Sequence, residues 1–291
     1  MRKVTRVLAW IIIIAVIVYG GIIIIMLTQE TRLVYYVNYE KPEKYSPPDG
    51  EVSEYQRFDL KSKDGTDIAG WIIPADGDTL NTFPWMIFCH GNQSDISAPD
   101  YVKRYKMFTS LGLNVLTFDY RGFGESGGKP TEKGLYEDAT QVYNYLIQSR
   151  NIQPERIIIY GHSLGSGVAV DLASRVPAGG LIIEAAYRSV PDIGQKLYPF
   201  LPMKLILKNR FMTIDKIDKI SYPKMIIHSS NDEIISIAEG KALYDKAQSP
   251  KSFLEITGTH VAAPIESKAA FCSGILSFVE EVISYATHAQ K

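Results

Sequence analysis

Hydrophobic positions follow three rhythms along this chain. The first is unbroken: Leu8 to Leu27 (LAWIIIIAVIVYGGIIIIML) carries no charge, and a helix of that length, at ~1.5 Å per residue, matches the roughly 30 Å hydrocarbon core of a bilayer. It reads as a membrane-spanning helix. A cleaved signal peptide would share the basic start Arg2, Lys3 and Arg6, but its apolar region is normally shorter and ends in small residues. Thr28-Gln29-Glu30-Thr31-Arg32 offers no such cleavage site, and the absence of cysteine before Cys89 excludes a lipoprotein signal. The expected division is a basic tail (1–7), an anchor (8–27), a linker (28–50) stiffened by Pro42, Pro47 and Pro48, and one large domain (51–291).

The second rhythm is the short continuous run. Trp85 to Cys89 reads as a strand buried on both faces and Asn114 to Phe118 as the next buried strand, with Arg156 to Tyr160, Gly180 to Ile183, Lys224 to His228 and Phe253 to Ile256 as further strands. The third has the helical period: Pro99 to Leu111, Thr131 to Arg150 with Leu135, Ala139, Val142, Tyr143 and Leu146 on one face, Ile237 to Ala247, and Ala269 to Tyr285. Ahead of these, two alternating stretches between Tyr55 and Pro74 flank Lys63-Asp64-Gly65-Thr66, a hairpin signal. Strand and helix alternate from there on, which predicts an α/β fold: a mostly parallel sheet with helices on both faces. The stretch from about 185 to 220 is too long for a simple connection and predicts a small cap.

Composition narrows the chemistry. At 46% hydrophobic, 22% charged and a net charge of −1, the chain has the make-up of a globular domain and no electrostatic case for nucleic acid. Cys89 and Cys272 are far apart and sit in no metal pattern, so buried free thiols are expected, with neither a metal nor another cofactor. Clustered Arg2, Lys3 and Arg6 against the dispersed Arg32, Lys41 and Lys44 favour a cytoplasmic N-terminus and a catalytic domain on the periplasmic, extracellular or lumenal side.

One motif organises the rest. Ile157 to Tyr160 runs into Gly161-His162-Ser163-Leu164-Gly165 and then into a helix expected to begin near Val168. Gly-x-Ser-x-Gly between strand and helix is the pattern of a nucleophile elbow, in which the serine takes a strained conformation that only small neighbours tolerate. A base and an acid should then follow in chain order. Of the five histidines, His162 is inside the elbow, His90 opens an earlier turn, His228 ends a strand and His288 is in the tail, leaving His260 in the loop after the last strand. For the acid, Asp232 in Ser229-Ser230-Asn231-Asp232-Glu233 is preferred, with Glu233 and Glu184 as competitors. Two oxyanion-stabilising N–H groups are expected from Leu164 and, beyond the strand ending at Cys89, from Asn92 in His90-Gly91-Asn92. The glycine-rich Asp119-to-Ser126 loop lacks a Walker ending and reads as a structural loop braced by Asp119 and Arg121.

Together, His90-Gly91-Asn92, Asp119 to Ser126, Gly161 to Gly165, Asp232 and His260 resemble the α/β-hydrolase superfamily. Within it the chain is similar to membrane-anchored serine hydrolases with a domain of the serine aminopeptidase (S33) kind. The resemblance implies a catalytic set of nucleophile Ser163, acid Asp232 and base His260, with backbone donors Asn92 and Leu164. That branch often has Asn then Asp after the histidine, whereas Val261-Ala262-Ala263 follow here. The expected activity is hydrolysis of a carboxylic ester or thioester of acyl or lipid type, since the apolar stretch Tyr198 to Met203 lies beside Lys204, Lys208 and Arg210. The partners expected are a small-molecule or lipid ester and the membrane. A peptidase of the same fold, or a catalytically silent binding module tethered to the membrane, are the competing readings.

Overall fold

The computed structural model describes residues 2–36, 45–47, 52, 54–77, 84–92 and 94–289. Helix α1 (Arg2–Val34) is longer than the apolar run that predicts it. It continues through Thr28–Val34, the start of the expected linker, because Glu30 is not left to solvent there but is buried against a neighbouring loop. Most of the remaining linker, 37–44 and 48–50, lies outside the described residues.

The predicted hairpin is β1 (Gln56–Lys61) and β2 (Asp67–Ile73), followed by β3 (Trp85–Cys89), α2 (Pro99–Ser110) and β4 (Asn114–Phe118). Helix α3 (Glu132–Asn144) is capped by Thr131 and passes into a π turn, Tyr145–Ser149, where one α-helix was expected. Strand β5 (Ile157–His162) delivers Ser163 directly into α4 (Leu164–Ala173). That helix starts four residues before the expected Val168, because the elbow turns the chain at Ser163 itself and tertiary packing overrides the poor helix propensity of Gly165, Ser166 and Gly167. After β6 (Gly180–Glu184), the excursion that was expected to be a cap contains α5 (Val190–Leu197), the single turn α6 (Met203–Ile206) and two 3-10 turns. The chain closes with β7 (Lys224–Ser229), α7 (Ile237–Lys246), β8 (Lys251–Ile256), the turn α8 (Ala263–Glu266) and α9 (Lys268–Ala289).

The described strands form one eight-stranded sheet in the order β1-β2-β4-β3-β5-β6-β7-β8. Only the β1–β2 and β2–β4 pairings are antiparallel. The chain reverses its direction of travel across the sheet between β3 and β5, which pair directly, Cys89 opposite Gly161. A crevice at the carboxyl ends of such strands is where α/β sheets bind ligands.

Alternate side chains of each strand feed two cores. On β5, Ile157 and Ile159 pack with Leu135 and Val142 of α3 and Val168 and Leu172 of α4. Ile158 and Tyr160 face the other way, toward Tyr105 and Phe108 of α2 and Phe271, Ile275 and Phe278 of α9. Helix α9 is long and apolar enough to cross a bilayer by composition, but those buried positions make it a core helix. Helix α1 also passes that test, and its window is almost entirely unburied. Cys89 is buried as expected, whereas Cys272 is only half-buried, since it lies on the flank of α9; both are free.

Candidate active site

The elbow begins with a steric requirement. Ser163 has φ +51° and ψ −118°, a strained setting for a residue with a side chain. Close approach on either side allows it. A Cβ on Gly161 would lie 2.4 Å from the carbonyl oxygen of Gly165, and one on Gly165 would lie 2.1 Å from that of Cys89 on β3. Both positions must therefore be glycine, and Ser163 stands half-buried at the end of β5 with its N–H donated to the Glu184 carbonyl (3.0 Å).

His260 and Asp232, expected from chain order alone, meet this serine. His260 Nε2 is 2.9 Å from Ser163 Oγ, and His260 Nδ1 is 2.8 Å from Asp232 Oδ2. The other oxygen of Asp232 accepts from the N–H groups of Ile234 (2.9 Å) and Ile235 (2.7 Å). Burial alone would raise the Asp232 pKa, but the bond from His260 and those backbone donors outweigh it and hold the group below its ordinary value. An ionised Asp232 only accepts, so Nδ1 of His260 carries the proton and Nε2 is free to receive one from Ser163.

The competing acids do other work. Glu233 Oε2 accepts from the backbone N–H of His260 at 2.9 Å, so it fixes the loop and not the ring. Glu184 is buried, with its pKa raised by burial, and accepts from Arg104 Nη1 (2.8 Å) and from the Tyr160 hydroxyl. Arg104 also donates to the carbonyl of Val261. The backbone beyond His260 is thus held from α2.

Sequence reasoning passed over His162 as the variable residue of the elbow, and nothing in its spacing marks it. In the structure it is a buried bridge. Tyr101 Oη accepts the Gly91 N–H (2.9 Å) and reaches His162 Nδ1 (3.2 Å), while His162 Nε2 lies 3.3 Å from the His260 carbonyl. Burial, then the Arg104 charge, drives the His162 pKa well below its ordinary value, so the ring is neutral. Only one tautomer fits: Tyr101 donates to Nδ1, and Nε2–H donates to the His260 carbonyl. His162 therefore ties the loop after β3 to the loop after β8.

Asn92 sits at the end of that first loop. Its side chain joins it to the end of α1: Nδ2 donates to the Val34 carbonyl (2.8 Å) and Oδ1 accepts from the Tyr36 N–H (3.0 Å). The N–H groups of Asn92 and of Leu164, the first residue of α4, have no acceptor among the described residues.

The Asp119 loop is structural, as expected. Asp119 accepts from the Ile96 N–H (3.1 Å) and the Tyr45 hydroxyl (2.5 Å), and Arg121 is paired with Asp138 (2.8 Å) and Asp64 (2.7 Å). Burial raises Asp119 to about 8 and lowers the adjacent His90 to about 4. A cavity of about 540 Å³ lies elsewhere, lined by Leu27, Glu30, Glu132 and Lys208 at the foot of α1, with no member of the serine site on its wall.

Comparison with known proteins agrees with this architecture. Residues 84–214 match the family model described as serine aminopeptidase, S33. The human Alpha/beta hydrolase domain-containing protein 17B is 36% identical over 217 residues, covering 72% of this chain and 69% of that protein. The Lysophosphatidylserine lipase ABHD12 of Danio rerio is 30% identical over 254 residues, 76% of this chain and 65% of that one. Among solved structures, an esterase of Pyrococcus furiosus superposes with a TM-score of 0.69 at 22% identity, covering 84% of this chain and 98% of that one.

Proposed function

The chain belongs to the α/β-hydrolase family, and from that premise we propose that it is a membrane-anchored serine hydrolase that cleaves a carboxylic ester or thioester carrying an acyl chain. One observation carries the reading: a serine on a strained elbow lies 2.9 Å from a histidine that is itself 2.8 Å from a buried carboxylate. Ser163 Oγ attacks the carbonyl carbon while His260 Nε2 takes its proton, and Asp232 steadies the imidazolium. The tetrahedral oxyanion is held by the N–H groups of Asn92 and Leu164. Collapse expels the alcohol or thiol, which takes the proton from His260, and leaves an acyl-enzyme. His260 then deprotonates a water that attacks the acyl carbon, and the acid leaves with Ser163 restored. No step requires a metal or other cofactor.

The acyl preference is supported by the excursion at 185–220, the proposed cap, where exposed Leu197, Phe200 and Leu205 stand beside exposed Lys204, Lys208 and Arg210. A named lipase among the relatives points the same way. The charge pattern flanking α1 supports a cytoplasmic N-terminus, with the domain on the outer side.

The test is labelling of the full-length protein in detergent by a fluorophosphonate probe, with Ser163→Ala and His260→Ala in parallel. Labelling abolished by both substitutions is the expected result, followed by faster turnover of medium- and long-chain acyl esters than of short peptides. A folded wild type that is not labelled would overturn the catalytic reading.

A further inference from the structure

Helix α1 can be used as a ruler for the excursion packed against it. Tyr19, Ile23, Met26, Glu30 and Val34, spaced as one face of a helix, all meet the loop-rich segment after β6 or the small apolar cluster within it. At the upper mark, Glu30 Oε1 accepts from the N–H groups of Lys208 and Asn209, both at 2.7 Å, and from Asn209 Nδ2 at 3.0 Å. At the lower mark, the Tyr19 hydroxyl donates to the Phe200 carbonyl at 2.9 Å. Eleven residues separate the two marks, so the excursion descends along the helix by roughly 16 Å.

This descent crosses the end of the apolar run. Leu27 is its last residue, so Phe200, level with Tyr19, lies about 12 Å inside it. If the bilayer instead took Val4 to Ile23, with Arg6 reaching back to the surface, Tyr19 would still be about 6 Å inside. Neither registration leaves the Phe200 level in water.

The chemistry of the tip fits that position. Leu197 is 68% exposed, Phe200 63% and Leu205 86%, and no charged residue occurs from Leu197 to Met203. Ile24 and Ile25, on the flank of α1 turned away from the excursion, are comparably bare at 62% and 60%. Three carbonyls at the tip are nonetheless paired: that of Pro199 accepts from Gln195 Nε2 (3.0 Å), that of Tyr198 from the Leu201 N–H (3.0 Å), and that of Pro202 from the Leu205 N–H (2.8 Å). Pro199 and Pro202 have no N–H to leave unpaired. Water would make such pairing unnecessary, whereas hydrocarbon demands it. Lys204, at the edge of the tip, is ion-paired with Asp192 (3.0 Å), whereas Lys208 and Arg210 are exposed on the segment that climbs back toward Glu30, where phosphate groups would meet them.

We propose that the uncharged tip from Leu197 to Met203, with the exposed Leu205 side chain beside it, is immersed in the bilayer leaflet next to the catalytic domain, so that lipid is the occupant of this bare apolar surface. The inference rests on the reading of α1 as a membrane span and needs no hydrolase activity. A substrate drawn from that leaflet would enter from the cap side without crossing water.

The experiment uses the full chain in nanodiscs of dioleoyl phosphatidylcholine, with Cys272→Ser to leave only the buried Cys89. Bimane is attached to Phe200→Cys or Leu205→Cys. Ile17→Cys reports on the anchor. Gln153→Cys, exposed before the amino end of β5 and therefore at the far edge of the sheet from Ser163, reports on water. Quenching by doxyl-labelled lipid is expected at Phe200→Cys and Leu205→Cys nearly as strong as at Ile17→Cys and several-fold stronger than at Gln153→Cys. Tip labels that quench no more than Gln153→Cys while Ile17→Cys quenches strongly would overturn the proposal. A lack of quenching at Ile17→Cys would overturn it through its premise. Repeating the series in Ser163→Ala separates both results from the fate of the catalytic reading.

Discussion

The site edge of the sheet and the excursion beside α1 are ordered by different forces. Ser163 and the loop bearing Asp232 spring from β5 and β7, strands whose side chains are buried on both faces, and the His260 loop from β8, the half-buried edge strand paired along its length with β7. Burying a single Ile there is worth about 2 kcal/mol, so hydrophobic packing alone fixes where those strand ends lie. The two ends of the excursion are packed into the main core through Tyr187, Phe211, Ile217 and Ile220, whereas its middle buries only a small cluster of its own, Leu201, Met203 and Leu207. Carboxylates supply the rest of its hold. Glu239 of α7 accepts from Arg188 Nε (3.0 Å) and Lys196 Nζ (2.5 Å), Asp171 of α4 from Lys216 (2.7 Å), and Glu30 of α1 from the 208–209 backbone. A region held by packing fails through shape, and one held by charge fails through pH. Substitutions can set the two apart.

The largest effect should fall on the proposed acid. Asp232→Asn leaves the fold intact but allows His260 the wrong tautomer, and a loss of about 10⁴-fold in kcat is expected on an activated ester. Glu233→Gln, next door, removes only a partner of the His260 backbone and should cost about tenfold. Equal losses from the two would mean that the acid role belongs to the pair and not to Asp232. Next comes shape at the elbow. Gly165→Ala would force a methyl to within 2.1 Å of the Cys89 carbonyl oxygen, and a destabilisation of about 3 kcal/mol is expected in thermal unfolding, with activity lost in the folded fraction. A neutral result would remove the steric account of the motif.

A smaller catalytic effect is expected at His162. His162→Phe keeps the bulk but leaves Tyr101 Oη and the His260 carbonyl without their bridge, so kcat should fall about tenfold, while His162→Gln recovers part of it. Because burial keeps the His162 ring neutral, the pH–rate profile of the variant should drop in height and keep its shape. A changed profile would make His162 a proton carrier.

Much of this was legible in the sequence, and what was not has physical causes. Strands β3 and β4 match the expected runs residue for residue, since two-sided burial writes itself as an unbroken apolar string. Ser163, Asp232 and His260 could be ranked because topology restricts each to a strand end. Helices α5 and α6, of eight and four residues, are too short to show a period, and the prolines around them read only as loop. The extension of α1 past Leu27 was hidden because its stabiliser, Asn209, is 179 positions from Glu30. Arg104 and His162 gave no signal for the same reason: their partners are set by the folded sheet and by nothing nearby in the chain.

The charge-held region should reveal itself in acid. The Glu239 carboxyl is buried, which would raise its pKa, but Arg188 and Lys196 outweigh that and bring it from an ordinary 4.5 to about 2. A folded-state pKa below the unfolded one means the ionised group stabilises the fold fully above pH 4.5, and that contribution drains away as pH falls toward 2. Glu239→Gln lacks the charge at every pH. Its Tm deficit against the wild type should therefore be constant from pH 7 to about 5 and close progressively between 4.5 and 2.

The smallest effect is expected where the excursion meets the anchor. Met26 touches the cluster of Leu201, Met203 and Leu207 while remaining partly exposed, so Met26→Ala forfeits only part of a side chain's packing contacts, about 1 kcal/mol. Glu30→Gln at the other end keeps an oxygen for the Lys208 and Asn209 N–H groups but loses the charge that strengthens those bonds, about another 1 kcal/mol. Both contacts lie on one face of α1, and they join the same segment to it. If that segment docks as a unit, the double variant should loosen it by more than the sum of the single changes, read as proteolytic cleavage between α5 and α6 in detergent. Strict additivity would show the two marks on the helix to be independent, and the excursion to be free to move at one while held at the other.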